Sequence, residues 1–381
     1  MTGTTEPIGA ALTSSPKDEA VASQWRLMWW RFRKHKLAVA GLIVILFVYL
    51  VALFVEPLAP FDPEAPDRAA VYHPPQMIKL FEATAQGWRF RPHVNAYRVT
   101  RDPGTLAISF ARDGDRTIGI RFFGKTMPYK LWGLVPLDRK LLTAETPGEH
   151  FYLFGADRLG RDMLSRVIYG TRISMSVGLI GVTISLTLGL LLGGVSGYFG
   201  GWIDSLIQRI VELKISLPTI PIWLGLSAAL PRDWPPTLNY FAIVTLLSFL
   251  GWTELARVVR GRFLGLRTED FVMAAKFDGA SEKRIIFRHM LPSLTSHIIA
   301  SATLAVPVMI LAESALSFLG LGLQPPTISW GVLLKEAQNV RSIAAAPWLF
   351  VPGAAVVISV LALNFLGDGL RDAADPYGDL R

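Results

Sequence analysis

Six long apolar stretches constrain what this chain can fold into. They are Leu37 to Val55, Ile173 to Val195, Leu206 to Leu230, Phe241 to Ala256, Ile298 to Leu319 and Trp348 to Leu366. A helix needs about 20 mainly apolar residues to cross the hydrocarbon core of a bilayer. With 51% hydrophobic and 18% charged residues, the composition is typical of a multispanning membrane protein rather than a soluble enzyme. We therefore predict an all-α polytopic membrane protein with six transmembrane helices.

Basic residues beside the apolar stretches predict the orientation of the chain. One cluster, Arg26 to Lys36, precedes the first stretch, and another, Arg257 to Arg267, follows the fourth. Because Lys and Arg are enriched in cytoplasmic loops, we expect the N-terminus in the cytoplasm. An even number of crossings then returns the C-terminus to the same side of the membrane. The net charge of +8 thus reflects the topology of the chain in a membrane. We therefore expect the lipid bilayer as a partner and do not expect nucleic acid.

The alternation of polar and apolar segments predicts the domain limits. They are a cytoplasmic tail with an interfacial helix over 1–36, the first transmembrane helix over 37–59, an extracytoplasmic insert over 60–170, a five-helix core over 171–367 and a cytoplasmic tail over 368–381. Trp25, Trp29 and Trp30 suggest a helix lying on the bilayer, or simply the aromatic belt of the first span. The first part of the tail is polar and small, and we expect it to be disordered. The absence of Cys excludes disulfides and thiolate metal sites.

The insert is too polar to enter the membrane and carries β-strand signals. Residues 106–110 and 117–123 flank an Asp-Gly pair within Arg112 to Asp115, which predicts a β-hairpin. We expect a small β-rich domain on the outer face of the membrane. Gly119 to Thr126 matches the phosphate-binding pattern G-x-x-x-x-G-K-[ST]. Bulky Phe122 and Phe123 fill its turn, so we do not expect ATP to bind there. No other cofactor is expected in this chain.

A basic, amphipathic segment within residues 257–296 joins the fourth and fifth apolar stretches. Asp270 to Phe277 predicts a short helix, Asp278-Gly279 a turn, and Ser281 the start of a second helix that ends before Pro292. The segment suits docking onto another protein. The alternative is a solvated loop whose charges serve only the topology.

The spacing in this segment resembles the EAA loop of binding-protein-dependent ABC importer permeases. The matching residues are Ala274, Ala275, Gly279, Leu291 and Pro292. Two positions differ, since Met273 stands where Glu is usual and His289 where Ile is common. Arg284 and Arg288 lie four residues apart and so form a basic face. The resemblance implies that the five matching residues couple the chain to a cytoplasmic ATPase. We expect Arg284 and Arg288 to take part in the same contact.

Further motifs narrow the family. Gly155 to Arg172, Ala312 to Gly320 and Asn364 to Asp372 resemble the C-type permease of dipeptide and oligopeptide importers, and Tyr129 to Pro136 is similar to its microcin C branch. The resemblance implies the type I ABC importer permease fold in the inner membrane of a bacterium, with a periplasmic insert between its first two helices, and uptake of peptides or peptide conjugates. Its implied partners are a second, B-type permease subunit, two ATPase subunits or one fused ATPase that bind ATP and magnesium, and a periplasmic peptide-binding protein. The insert would then shape the cargo entrance, receive the binding protein or be an architectural cap.

Intramembrane acids leave another function open. Glu313 lies well inside the fifth span and Glu254 near the end of the fourth, although a charge at the bilayer centre costs about 2.5 to 3.5 kcal/mol. Both are candidates for the translocation pathway, and Glu313 could instead bind a neighbouring backbone. In a proton-coupled secondary transporter they would be proton sites. An intramembrane enzyme is not expected, because the six His are scattered and no nucleophile pairs with a base.

Overall fold

The structure is a computed structural model that describes residues 24–84, 87–101, 104, 108–231, 233–338, 344 and 346–374. The predicted tail over 1–23 and residues 375–381 lie outside the described residues. The helices, in chain order, are α1 Gln24–Lys34, α2 Lys36–Leu53, α3 Val55–Leu58, α4 Met163–Phe199, α5 Gly201–Ser216, α6 Thr219–Ala228, α7 Pro236–Leu266, α8 Asp270–Phe277, α9 Glu282–Arg284, a π-helix Ile285–Met290, α10 Leu291–Ser293, α11 Thr295–Phe318, α12 Trp330–Glu336, a 3-10 helix Pro347–Phe350 and α13 Val351–Ala374. The strands are β1 Lys79–Thr84, β2 Gly87–Arg101, β3 Ile108–Leu131 and β4 Val135–Ala144.

Within the described residues, five helices are long and apolar enough to cross a membrane, and the bent pair α5 and α6 would make a sixth crossing. The third predicted span, Leu206 to Leu230, is therefore not one helix, because α5 and α6 are bent by 87° relative to each other. Pro218 explains the break, since it lacks an N–H and disfavours a helical conformation at Leu217, which has ψ 133°. Pro307, in contrast, lies inside the continuous helix α11.

Two helices extend beyond the predicted apolar stretches. Helix α4 begins at Met163 rather than Ile173, because the Asp162 side chain caps it by accepting a 2.8 Å hydrogen bond from Ser165 N. The predicted insert over 60–170 therefore includes the first turns of α4. Helix α13 continues past the predicted limit at 367, because Ala373 packs against Phe32.

The insert contains an antiparallel sheet in the order β1-β2-β3-β4. The predicted hairpin turn at Arg112 to Asp115 is wrong, because both halves of β3 pair with β2 as one strand. Tyr97 pairs with Arg112 and Asn95 with Thr117, so the residues between form a bulge. Residues 106 and 107 of the first predicted strand lie outside the described residues. The phosphate-binding pattern falls within β3 and lacks the helix that such a site requires.

The transmembrane helices pack closely around α4. A Cβ atom at Gly193 of α4 would lie 2.5 Å from the backbone oxygen of Ala256 in α7, so only glycine permits this approach. Helix α11 packs against α4 and α13, and α2 packs against α13. We call the end where α2 ends and α4 begins the insert end, and the end where α4 and α7 end the coupling end. Met28 contacts Ser296 at the start of α11, so α1 lies at the coupling end.

Candidate functional site

The coupling segment, residues 269–294, lies between α7 and α11 at the coupling end. Helix α8 has the predicted limits, although Glu269 rather than Asp270 is its N-cap residue. The prediction that the second helix ends before Pro292 is wrong, because α9, the π-helix and α10 continue to Ser293. Pro292 directly follows the π-helix and has no N–H to donate, so the altered hydrogen-bond pattern of the π-helix accommodates it.

One side of the coupling segment is an apolar core. Its buried members are Val272, Ala275, Ile285, Met290 and Leu294, packed with Tyr198, Val259 and Phe263 of α4 and α7. Lys276 adds a contact in which its Nζ lies 5.9 Å from the centre of the Tyr198 ring. Ala275, one of the predicted coupling residues, is only 8% exposed. It therefore joins the segment to the helix bundle.

The other side of the coupling segment is open and combines aromatic and basic side chains. Phe277 is 84% exposed and Phe287 is 61% exposed. The predicted coupling residues Ala274, Gly279, Arg284, Arg288 and Pro292 are exposed as well, and Leu291 is half-buried. The two phenylalanines are not among the predicted coupling residues. Both are large apolar residues in a segment rich in charged residues, and Phe277 directly precedes the Asp-Gly turn, so the sequence carried a signal for them.

Gly279 forms the turn between the two halves of the segment. Its φ of +72° is a left-handed conformation that glycine adopts without steric cost. A Cβ atom there would meet nothing within 4 Å. Beneath the segment, Arg260 of α7 binds Asp204 of α5 through two hydrogen bonds, Nε to Oδ1 at 2.5 Å and the second nitrogen to Oδ2 at 2.6 Å. This paired contact ties α7, which supports the segment, to α5.

Glu313 of α11 has no exposed surface and lies among serine hydroxyls. Ser329 and Ser317 donate to its Oε1 at 2.7 and 2.8 Å. Ser174 and Ser314 donate weaker bonds to its Oε2 at 3.3 and 3.4 Å. The carboxylate therefore accepts from hydroxyls of α11, of α4 and of the residue that precedes α12.

Three of these hydroxyls also accept a backbone N–H. Val332 N donates to Ser329 at 3.2 Å, Leu323 N to Ser317 at 3.0 Å and Trp330 N to Ser174 at 3.1 Å. Each of these three serines thus accepts a backbone N–H and donates its own O–H to the Glu313 carboxylate. This arrangement requires a central group that accepts hydrogen bonds from all three. Of the two roles predicted for Glu313, the backbone-binding one matches this geometry, through serines rather than directly.

Glu254 has a different environment. It is exposed on α7, and its charged neighbour is Lys214 of α5. The structure therefore does not bring the two predicted pathway acids into one site. In this conformation Glu313 is enclosed, and Glu254 lies on a surface.

A buried ionic cluster at the insert end was missed as a site, although its residues belong to the motif from Gly155 to Arg172. Asp157 is fully buried and accepts hydrogen bonds from Arg161 Nε at 2.7 Å and from Arg166. Arg161 also binds Glu336 of α12 at 2.9 Å. The cluster therefore fixes the start of α4 to α12. The motif signalled its importance, but the distant partner Glu336 could not be inferred from it.

Asp162 is a second buried acid at this end, where it caps α4. Burial raises the pKa of Asp162 to about 6, although hydrogen bonds from Ser165 oppose the shift. Lys140 of β4 is the nearby positive charge. This carboxyl therefore titrates in a range where most aspartates are already ionised.

Comparison with known proteins identifies the family. The protein family described as the binding-protein-dependent transport system inner membrane component matches residues 185–377. A second family, the N-terminal TM domain of oligopeptide transport permease C, matches residues 23–75. Dipeptide transport system permease protein DppC of Alkalihalophilus pseudofirmus is 42% identical over 60% of this chain and 72% of its own length. Oligopeptide transport system permease protein OppC of Bacillus subtilis is 35% identical over 62% of this chain and 75% of its own length.

The likeness to solved structures is weaker. An inward-facing structure of the MetNI methionine ABC transporter aligns with 56% of this chain and 98% of its own chain, at 16% identity and a TM-score of 0.44. The sequence relatives, rather than this likeness, identify the chain. The chain belongs to the family of inner membrane components of binding-protein-dependent transport systems, and it is an ABC importer permease rather than an enzyme or a proton-coupled transporter.

Proposed function

We propose that this chain takes up peptides across the bacterial inner membrane together with a second, B-type permease subunit. The relatives named as dipeptide and oligopeptide permeases support this class of cargo. A periplasmic binding protein would deliver cargo at the insert end. Two ATPase subunits, or one fused ATPase, would bind at the coupling end and supply ATP and magnesium. A peptide conjugate of the microcin C type stays a prediction from Tyr129 to Pro136.

The orientation rests on features that share the coupling end. Helix α1 with its basic residues, the last turns of α13 and the coupling segment all lie there. Basic residues favour the cytoplasmic side, and an ATPase can reach the chain only from that side. We therefore place both termini and the coupling segment in the cytoplasm, and the sheet in the periplasm.

The coupling segment has a buried apolar side and an exposed aromatic and basic side, and this observation carries the proposal. Shifting the transporter from 1:99 to 99:1 between its inward-facing and outward-facing states requires about 5.5 kcal/mol of differential binding. The motion of the ATPase must therefore reach the membrane helices without loss. Val272, Ile285 and Met290 fix the segment to α4 and α7 from within. Phe277, Phe287 and the exposed arginines form the surface that the ATPase would contact.

Glu313 and Glu254 as pathway residues also stay predictions. Glu313 would face cargo only if its serine contacts opened, because the carboxylate has no exposed surface. Glu254 is exposed and would face either the second permease subunit or the route itself.

Substitution of Gly279 tests the docking role. A left-handed conformation costs a non-glycine residue roughly 1 to 2 kcal/mol, and about 1.4 kcal/mol is a factor of ten. In Gly279→Val we expect the assembled transporter to hydrolyse ATP while peptide uptake per ATP falls roughly tenfold. Both rates would be measured in proteoliposomes that contain all subunits.

Two further variants separate local strain from docking. Gly201 also has a positive φ, +58°, and open space around a Cβ atom, but it lies outside the coupling segment. Gly201→Val should keep normal uptake per ATP. Gly279→Asn should lose less than Gly279→Val, because Asn tolerates a positive φ. Normal coupling in Gly279→Val, or an equal loss in Gly201→Val, would contradict the proposed mechanism.

A further inference from the structure

The turn between β3 and β4 is attached to the end of a membrane helix. Trp132 Nε1 donates a 2.7 Å hydrogen bond to the backbone oxygen of Leu53, the last residue of α2. Trp132 N donates to Glu56 Oε1 at 3.3 Å, and the Trp132 and Phe54 rings lie 6.2 Å apart. The depth of this turn relative to the bilayer is therefore set by the point where α2 ends.

Arg172 of α4 reinforces the attachment. Its two terminal nitrogens bind the two Glu56 oxygens at 2.7 Å each, and its Nε donates to Ala52 O at 2.9 Å. Lys140 of β4 donates to Pro60 O at 3.2 Å, which holds the other strand of the hairpin to the segment after α3. The hairpin is thus fixed to the first two membrane helices.

The turn carries apolar side chains that the described residues leave largely or partly exposed. Leu134 is 77% exposed, Trp132 46% and Val135 45%. Leu134 follows Trp132 by two residues, so it lies at most about 7 Å from it. The polar interface of a bilayer is about 5 to 8 Å thick on each side. Leu134 therefore lies within reach of the interface at the end of α2.

The chemistry of the turn fits lipid better than water. Trp and Tyr are enriched at membrane interfaces, where an apolar ring meets a polar edge. Trp132 lies in this turn, and Tyr129 lies beside it near the end of β3. Lys130, which is exposed, adds a positive charge suited to lipid phosphates. Leu50 and Leu53, exposed on the last turn of α2, continue the apolar surface into the membrane.

We propose that residues 130–135, the β3–β4 turn, are seated in the headgroup layer of the bilayer, with Leu134 inserted and Trp132 as the anchor. The sheet is then held at a fixed height above the membrane. This inference requires only that α2 crosses the bilayer. It depends neither on the cargo nor on which side is cytoplasmic.

Spin labelling tests this placement in the complete transporter. Because the chain has no Cys, Leu134→Cys introduces the one labelling site in this subunit, and the signal of the unsubstituted complex is subtracted. The complex is placed in nanodiscs of phosphatidylethanolamine and phosphatidylglycerol. Collisions of the label are measured with molecular oxygen, which concentrates in lipid, and with nickel-EDDA, which stays in water. We expect an oxygen-to-nickel collision ratio at Leu134 several-fold above that at Trp88→Cys, a control on β2 that is 78% exposed.

Two results would overturn the inference. A ratio at Leu134 equal to that at Trp88 would place the turn in water. Low collision rates with both reagents would show that a partner protein covers it. Val135→Cys repeats the measurement one residue further along, so that failure of one variant to assemble leaves the question answerable.

Discussion

The coupling segment and the insert end of the helix bundle are held in place by different forces. At the coupling end, the coupling segment rests on α4 and α7 mainly through apolar side chains, with Lys276 over Tyr198 as an addition. At the insert end, Asp157 and Glu313 are buried and bound by arginines and serines. Apolar packing has no preferred direction, whereas hydrogen bonds weaken steeply with angle and distance. We infer that the insert end resists rearrangement most strongly, while the apolar contact carries the motion of the coupling segment to α4 and α7.

Asp157→Asn should cause the largest change. The variant keeps the oxygen that accepts from Leu159 N and Arg161 N, but it removes the charge opposite Arg166, which is 1% exposed. Removing one partner of a buried ion pair costs about 3 to 5 kcal/mol. We expect the melting temperature of the purified permease to fall markedly.

Glu149→Gln is the matched control for that experiment. Glu149 pairs with Arg116, which is 62% exposed, and such surface pairs contribute about 0.2 to 1 kcal/mol. If both variants melted at the same temperature, the insert end would not be the rigid part of the molecule. The comparison between the two ends would then fail.

The difference between the two ends also explains what the sequence could predict. Long apolar stretches and the Ala-Ala, Gly and Leu-Pro spacing are local, so the membrane-crossing segments and the limits of α8 were predicted, although α4 and α7 extend beyond the predicted stretches. Asp113 and Gly114 have the chemistry of a tight turn, but pairing of both halves of β3 with β2 prevailed. The sequence places Pro218 within the third predicted span, but the angle of 87° between α5 and α6 is not a local property of that residue. The partners of Asp157 and Glu313 come from distant elements, so only the fold brings them together.

The stability of the insert end should depend on pH through Asp162. Its pKa is raised from 3.8 to about 6 in the folded chain, so the folded state binds this proton more tightly than the unfolded state. The stabilisation is full below about pH 4 and is lost as the pH rises through about 6. A shift of about two units corresponds to about 3 kcal/mol.

Thermal unfolding between pH 4 and pH 7 would measure this effect. Asp162→Asn should flatten the decline, because the amide does not titrate and can still accept from Ser165 N. Asp138→Asn, an exposed acid of β4, should leave the decline as it is. An unchanged decline in Asp162→Asn would assign the pH dependence to another group and remove this acid from the comparison.

Glu313→Gln should have the smallest of the three effects, and it separates an anchor from a pathway residue. The amide places N–H donors opposite serine hydroxyls that already donate, and an unsatisfied buried group costs about 1 to 3 kcal/mol. We expect thermal stability and peptide uptake to fall together. Lys276→Met at the coupling end loses only a cation–π contact, worth about 0.5 to 1 kcal/mol at an exposed site, so its melting temperature should hardly change. Loss of uptake in Glu313→Gln at an unchanged melting temperature would show that the carboxylate acts on the cargo route, and that the insert end opens during transport.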